Sequence, residues 1–295
     1  MQPKTIAEQL FFTTMRIDTI AADGSHGSGT GFFFSYKIGE RNYPFVVTNK
    51  HVVFGMREGA LSFLQRTGTL PTLGNGCRLR IDDWHQAWFG HPDPNVDIAI
   101  CPFAPLEAHI KQQHNVDLFY RYVSSDMIPN PQQTAELDAV ELVTFIGYPN
   151  GVWDSKNLLP VARRGTTASP IEVDFEHTPR FLIDASVFGG SSGSPVFILN
   201  QGSWSRKDGG LEIGSRFHFV GVVAAVFFRT QMNQIVAVPI PTQMQPMAQQ
   251  QEMIDLGIVF KARTVIETIE AFLKSRNIET CAPALASDTP QQSRA

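Results

Sequence analysis

The sequence predicts an all-β protein built from antiparallel barrels or sandwiches, and three observations carry that expectation. Short apolar runs of strand length recur along the chain, punctuated by Gly, Pro and Asn. No repeat of roughly 20 to 50 residues is visible, which argues against solenoids and propellers. A helical period stands out in only one stretch, near the C-terminus.

Taken in order, the first group of runs is "LFFTTMRI" from Leu10, "GTGFFFSY" from Gly29, "FVVTN" from Phe45, "GALSFLQR" from Gly59, "CRLRI" from Cys77 and "VDIAICPF" from Val96. Their β-branched and aromatic residues favour a pleated, half-buried surface. A polar stretch over 107–137 separates them from a second group: "ELVTFIGYP", "RFLIDASVF", "SPVFIL", "FVGVVAAVFF" and "IVAVPI". The chain therefore divides into an N-terminal unit (1–110), a connection (111–137) and a C-terminal unit (138–262). Over 263–278 a helix is expected to close the fold, because Val265, Ile266, Ile269, Phe272 and Leu273 share one helical face. The small, polar remainder (279–295) is expected to be disordered. Two further polar segments, 200–216 and 229–253, are expected to be surface loops.

Composition narrows the function classes. With 295 residues, 43% hydrophobic and 18% charged, the chain can bury a full core. Its formal charge is −4 and its cations are scattered, so no nucleic-acid footprint is expected. Glu8 and its polar neighbours interrupt the apolar core a secretion signal needs, and no run approaches the roughly 20 apolar residues of a membrane span. Cys77, Cys101 and Cys281 are widely spaced and include no CxxC pair, which fits free thiols in a reducing compartment. A cytoplasmic location and no membrane partner are expected.

Three features combine into chemistry. His51 stands where the strand around Phe45–Thr48 ends, and Asp97 immediately precedes an apolar run. "FGGSSGSPVF" from Phe188 surrounds its serines with glycines, which lets backbone N–H groups converge on one spot. A hydroxyl nucleophile needs a base, and an imidazole base needs an acceptor that fixes its tautomer. His51, Asp97 and one serine of the 189–194 turn supply all three, in the order His, Asp, Ser. No metal or organic cofactor is called for. The same turn also reads as G-x-S-x-G centred on Ser191, the nucleophile elbow of an esterase, but such an enzyme needs its acid and histidine after the serine, and only His218 follows.

Through "GSGTGFFF", "VVTNKHVV", "VDIAI", "FIGYP", "IDASVFGGSSGSPVF" and "FVGVVAAV" the chain resembles the trypsin-like serine peptidases, nearest their Deg or high-temperature-requirement branch. The resemblance implies two antiparallel six-stranded β-barrels with the site between them. It places the family's nucleophile motif on Gly190 to Pro195, so the nucleophile is Ser192, with His51 as base, Asp97 as its orienting acid and the N–H groups of Gly190 and Ser192 as the oxyanion hole. It also implies a primary pocket with Ser186 at its floor and Ala224, Ala225 and Val226 along its wall. Ser191 stands where secreted relatives carry an aspartate that pairs with a newly cleaved N-terminus, so that activation route is not expected. The peptide-binding PDZ module of bacterial Deg proteins is not expected either. The function implied is a serine endopeptidase acting on polypeptides, with a dedicated partner protein as one expectation for its substrate. The alternative is a protease-fold binding module that is inactive or latent.

Overall fold

The computed structural model describes residues 2–234 and 247–278. The strand expected at 235–240 and the tail expected at 279–295 lie outside the described residues.

The first unit is one sheet of nine strands. Along the chain these are β1 (Thr14–Ala21), β2 (His26–Ile38), β3 (Arg41–Thr48), β4 (Met56–Thr67), β5 (Leu70–Ile81), β6 (Phe89–Gly90), β7 (Ala99–Pro102), β8 (Leu118–Phe119) and β9 (Val123–Ser124). The main path runs β5-β4-β1-β2-β3-β7-β6, with β8 added on β4 and β9 added in parallel on β2. Three helices accompany it: α1 (Ile6–Leu10), α2 (Lys50–Val53) and α3 (Phe103–His114). Residues 111–137, read as a connection, thus hold the end of α3, both added strands and the short helix α4 (Pro131–Ala135).

The second unit contains β10 (Leu142–Gly147), β11 (Val161–Thr167), β12 (Arg180–Asp184), β13 (Pro195–Ser205), β14 (Leu211–Gln234) and β15 (Met247–Lys261). These six strands close on themselves in the order β10-β11-β12-β15-β14-β13. Helix α5 (Arg263–Ser275) follows. Asn277, in the left-handed region at φ 56°, and a bond from the Ile278 N–H to the Leu273 carbonyl at 3.0 Å then end the helix.

Two expectations need correction. The first unit is a nine-stranded sheet and not a six-stranded barrel, because among the described residues β5 and β6 do not pair. After Ile81 the chain makes a 3-10 turn at Trp84–Gln86, and Trp84 and Trp88 pack into the core of the first unit, 0% and 6% exposed. Trp84 Nε1 donates to the Val53 carbonyl at 2.9 Å, so the indole is both packed and satisfied. Most of the described residues in the segments expected as loops are paired strand as well. Residues 200–205 and 211–216 form one hairpin, and 229–234 pair with 247–252 in another. The first hairpin is exposed on both faces, Leu211 and Ile213 included, so no buried face marks it as a strand.

Among the described residues, three large buried clusters and a small fourth around Phe12, Leu64 and Phe119 hold the molecule. Strand β2 shows how they are joined, because Phe33 faces the interior of the first sheet while Phe32 and Phe34 face the other way. That other side meets Phe197, Phe219 and Phe260 of the barrel, together with Val265, Ile269 and Leu273 of α5, in one buried cluster. The barrel interior has its own cluster around Phe145, Phe181 and Val196. The predicted apolar face of α5 therefore closes the junction between the two units. Trp84→Ala should destabilise the protein by about 3–5 kcal/mol, as measured by denaturant unfolding, because a cavity would open in the core of the first unit.

Candidate active site

His51 is the second residue of the single helical turn α2, directly after β3. Asn49, fully buried before that turn, does not cap it with its side chain; its Nδ2 instead donates to the Asp97 carbonyl at 2.7 Å. The Asp97 carboxylate then accepts from His51 twice, from the backbone N–H at 3.0 Å and from ring Nδ1 at 2.5 Å. A carboxylate only accepts, so Nδ1 carries the proton and Nε2 presents its lone pair. The loop before Asp97 is pinned from below. Lys50 Nζ donates to the Asp93 carbonyl at 2.8 Å, and the Asp93 N–H donates to His91 Nδ1, whose Nε2 lies 3.2 Å from Glu267 of α5. Partial burial lowers the Lys50 pKa, and Asp97 and Asp93 work against that shift. Asp93 makes no side-chain bond to His51.

The serine turn lies between β12 and β13. Gly190 and Gly193 take φ of 83° and 87°, which side-chain-bearing residues rarely adopt. Gly193 is also forced by space: a Cβ there would stand 1.9 Å from the Thr30 carbonyl and 2.6 Å from Thr48 Oγ1. The turn is locked to β2 through fully buried Thr30. Its N–H donates to the Ser192 carbonyl at 2.8 Å and its Oγ1 to the Gly190 carbonyl at 2.9 Å, while the Tyr148 N–H donates to that Oγ1 at 3.1 Å. On the barrel side, the Gly193 N–H donates to Val223 and the Val223 N–H to Ser194. Phe188 lies under the Arg163 guanidinium, 4.9 Å from ring centroid to carbon. Burial lowers the Arg163 pKa, and Asp255 opposes it.

Ser192 is half-buried, and its Oγ donates to the Ala224 carbonyl at 3.2 Å. Among the described residues no hydrogen bond joins it to His51, and the N–H groups of Gly190 and Ser192 have no acceptor. Ser191 is 1% exposed, with an Oγ that is buried and unpartnered. A sealed hydroxyl cannot meet a substrate, so the nucleophile-elbow reading centred on Ser191 fails. Ser186 is exposed on the segment after β12, and Ala224 is buried with its carbonyl engaged as above. The side chains of Ala225 and Val226 lie outside the described residues. Their strand is irregular, with register shifts between Val223 and Ala225 and between Val226 and Phe228. Sequence reasoning did not assign Thr30, Thr48 or Asn49 a role. Thr30 lies inside "GSGTGFFF", where its flanking glycines were the available signal: a Cβ on Gly29 would meet Val52 at 2.5 Å.

The trypsin-like peptidase domain matches this chain over residues 29–204, a span that contains His51, Asp97 and Ser192. No curated protein matches it. Solved structures with a similar arrangement include AlgW, an HtrA-type protease with a bound tripeptide, at 12% identity and a TM-score of 0.48, covering 92% of this chain and 63% of that one. The chain thus spans less than two thirds of the length of AlgW. The Rv3671c protease from M. tuberculosis, in its active form, is 17% identical with a TM-score of 0.44, covering 96% of this chain and 91% of that one. A scabies mite inactivated protease paralogue is 13% identical with a TM-score of 0.47, covering 92% and 98%.

Gly193→Ala should lower the thermal midpoint by roughly 4 °C or more, since strain and collision together cost about 2 kcal/mol or more. Gly202→Ala is the control, with φ 93° but nothing within 4 Å of its Cβ. Equal losses in the two variants would mean that the contact with Thr30 contributes nothing.

Proposed function

The chain belongs to the trypsin-like peptidase domain family, and from that premise we propose that it is a serine endopeptidase with His51, Asp97 and Ser192 as its triad. The observation that carries this reading is the Asp97 carboxylate bonded at once to the backbone and to the ring Nδ1 of His51. That grip fixes the tautomer in which Nε2 can take a proton, and it stabilises the imidazolium once formed. In the reaction, Ser192 Oγ leaves the Ala224 carbonyl, gives its proton to His51 Nε2 and attacks the peptide carbonyl. The Gly190 and Ser192 N–H groups, without an acceptor among the described residues, receive the oxyanion. His51 then protonates the leaving amine, and water hydrolyses the acyl-enzyme with the same residues in reverse roles. No step needs a cofactor. Cys77 and Cys101 are buried and unpaired, in keeping with the proposal of a reducing, cytoplasmic setting.

One observation favours a resting form of this enzyme: Ser192 donates to Ala224 and not to His51. A latent site of this kind needs a rotation about the Ser192 side chain before attack. A fluorophosphonate probe separates the readings, since covalent labelling of Ser192 in the wild type requires a competent triad. Absence of labelling under every condition would leave a binding module.

Ser192→Ala and His51→Ala should each abolish turnover with the fold intact, and Asp97→Asn should lower kcat by on the order of 10⁴ through the wrong tautomer. Near-normal activity in Asp97→Asn would remove Asp97 from the triad. For specificity, an uncharged Ser186 at the pocket floor leaves a Lys or Arg side chain uncompensated. Small or medium aliphatic residues before the scissile bond are the expected preference in a peptide library. Dominant cleavage after Arg or Lys would overturn the assignment of Ser186, and dominant cleavage after Phe or Tyr that of Val226.

A further inference from the structure

A cavity of about 260 Å³ lies against β1, β4 and β5 of the first sheet, under the segment that leaves β10. Its base is the row formed by Thr14 of β1, Ser62 and Leu64 of β4, and Gly76 of β5; its roof is Tyr148, Trp153 and Leu158. The roof is lightly fastened. The Gly74 N–H donates to the Asn157 carbonyl at 3.3 Å, Arg16 reaches the Gly151 carbonyl at 3.4 Å, and Leu158 sits at φ 62°, a strained value for leucine. The glycines beneath it are what allow the approach, since a Cβ on Gly76 would stand 2.6 Å from Leu158 and one on Gly74 2.8 Å from the Lys156 carbonyl.

The walls state what would fit. At about 30 Å³ per heavy atom, the volume holds roughly nine. Most of the lining is aromatic or aliphatic, with Phe12, Phe63 and Phe119 among it, so the body of an occupant is apolar. Three hydroxyls, those of Thr14, Ser62 and Tyr148, interrupt that lining. Thr14 Oγ1 is buried with the Tyr148 phenol beside it and makes no hydrogen bond of good geometry, so an entering polar group can satisfy it. The Tyr148 phenol is enclosed beside it, and burial raises its pKa, so it remains a donor. At the rim, the guanidiniums of Arg16 and Arg78 share one carboxylate, Asp18, at 2.7 and 3.5 Å, which leaves a net positive charge. Arg16 also lies over the Trp153 ring, 5.4 Å from its centroid.

The roof is wired to the serine turn. Tyr148 donates its N–H to Thr30 Oγ1, and the same oxygen holds the Gly190 carbonyl. An occupant that shifts Tyr148 therefore acts, through one buried hydroxyl, on the peptide next to the proposed oxyanion hole.

We propose that this cavity is a regulatory site for a small carboxylate with an apolar body of about eight carbons, held by Thr14, Tyr148 and the Arg16–Arg78 rim, which speeds reaction at Ser192 by ordering the 148–158 segment against Thr30. The regulatory half rests on the peptidase reading above, and the binding half does not. Octanoate serves as the probe and octanamide as its uncharged counterpart, with calorimetric titration reporting binding and fluorophosphonate labelling reporting Ser192. Octanoate should bind with one-to-one stoichiometry and a dissociation constant below about 1 mM, octanamide several-fold more weakly. Thr14→Val keeps the shape and removes the buried hydroxyl; it should weaken octanoate about tenfold. Ser62→Leu fills the space and should abolish binding. Labelling of the wild type should quicken at least threefold with octanoate. No binding to the wild type, or unchanged affinity in Thr14→Val, overturns the site. Binding with unchanged or slower labelling overturns the coupling. Binding that follows the variants while Ser192 never labels sustains the site and sinks the peptidase reading instead.

Discussion

The buried hydroxyl and backbone of Thr30 are what the rest of the site depends on. Thr30 bonds the carbonyls of Gly190 and Ser192, receives the Tyr148 N–H, and accepts Thr48 Oγ1 at 2.7 Å on its own carbonyl. Each bond contributes no more than about 0.5–1.5 kcal/mol net, but each sits where water cannot replace it, so breaking one leaves an orphan that costs more than the bond itself contributes. The neighbours of Thr30 do a second job. A Cβ on Gly29 would collide with Val52, one residue after His51, and a Cβ on Gly31 would press on Ile17 and Val46. The glycine-threonine-glycine sequence thus seats α2 flush against β2 on one side and the serine turn on the other. His51 and Ser192 are referred to the same few atoms of backbone.

That local register would drift if the two units could slide. They are prevented by a shared core, because the successive phenylalanines of β2 serve different masters. Phe33 packs with Phe63 and Phe103 inside the first sheet, while Phe32 and Phe34 pack against Phe219 of the barrel at ring separations of 5.5 and 6.0 Å. Helix α5 closes the seam, with Phe272 set edge-on against both Phe45 and Phe89. From its polar side the same helix offers Glu267 to His91 and Glu270 to the Tyr36 hydroxyl at 2.9 Å. The loop bearing Asp97 is therefore steadied by an element that arrives last in the chain.

How much of this the sequence disclosed follows from what each residue needed. His51, Asp97 and the glycine-rich turn were visible because their chemistry demands rare residues in a fixed order, and the structure brings the first two into direct contact. The helix face of α5 was visible because its period is unbroken. Strand β11, "VARRGTT", was not, since it carries two arginines and a glycine and packs through only part of its length. The missing β5–β6 pairing was invisible for a related reason: tryptophans at 84 and 88 can fill a core or a strand equally well, and only the turn at Asp83 decides between them. Thr30 was hidden by its ordinariness, because threonine in a strand needs no special explanation.

What holds the serine turn also determines how firmly it is held. In the secreted relatives an aspartate beside the nucleophile forms a buried ion pair with the new N-terminus; here Ser191 occupies that place, sealed and without a partner. A buried ion pair broken by loss of one member typically costs about 3–5 kcal/mol, whereas the neutral bonds through Thr30 are individually several-fold weaker. The turn is therefore fixed by packing and by Gly193 more than by charge. Ser192 Oγ itself is held by one neutral bond, to the Ala224 carbonyl at 3.2 Å. The turn that carries it is tied to the segment after β10 by the Tyr148 N–H on Thr30 Oγ1 at 3.1 Å. On the peptidase reading proposed above, a contact that shifts Tyr148 would bear on the serine turn through that one buried hydroxyl.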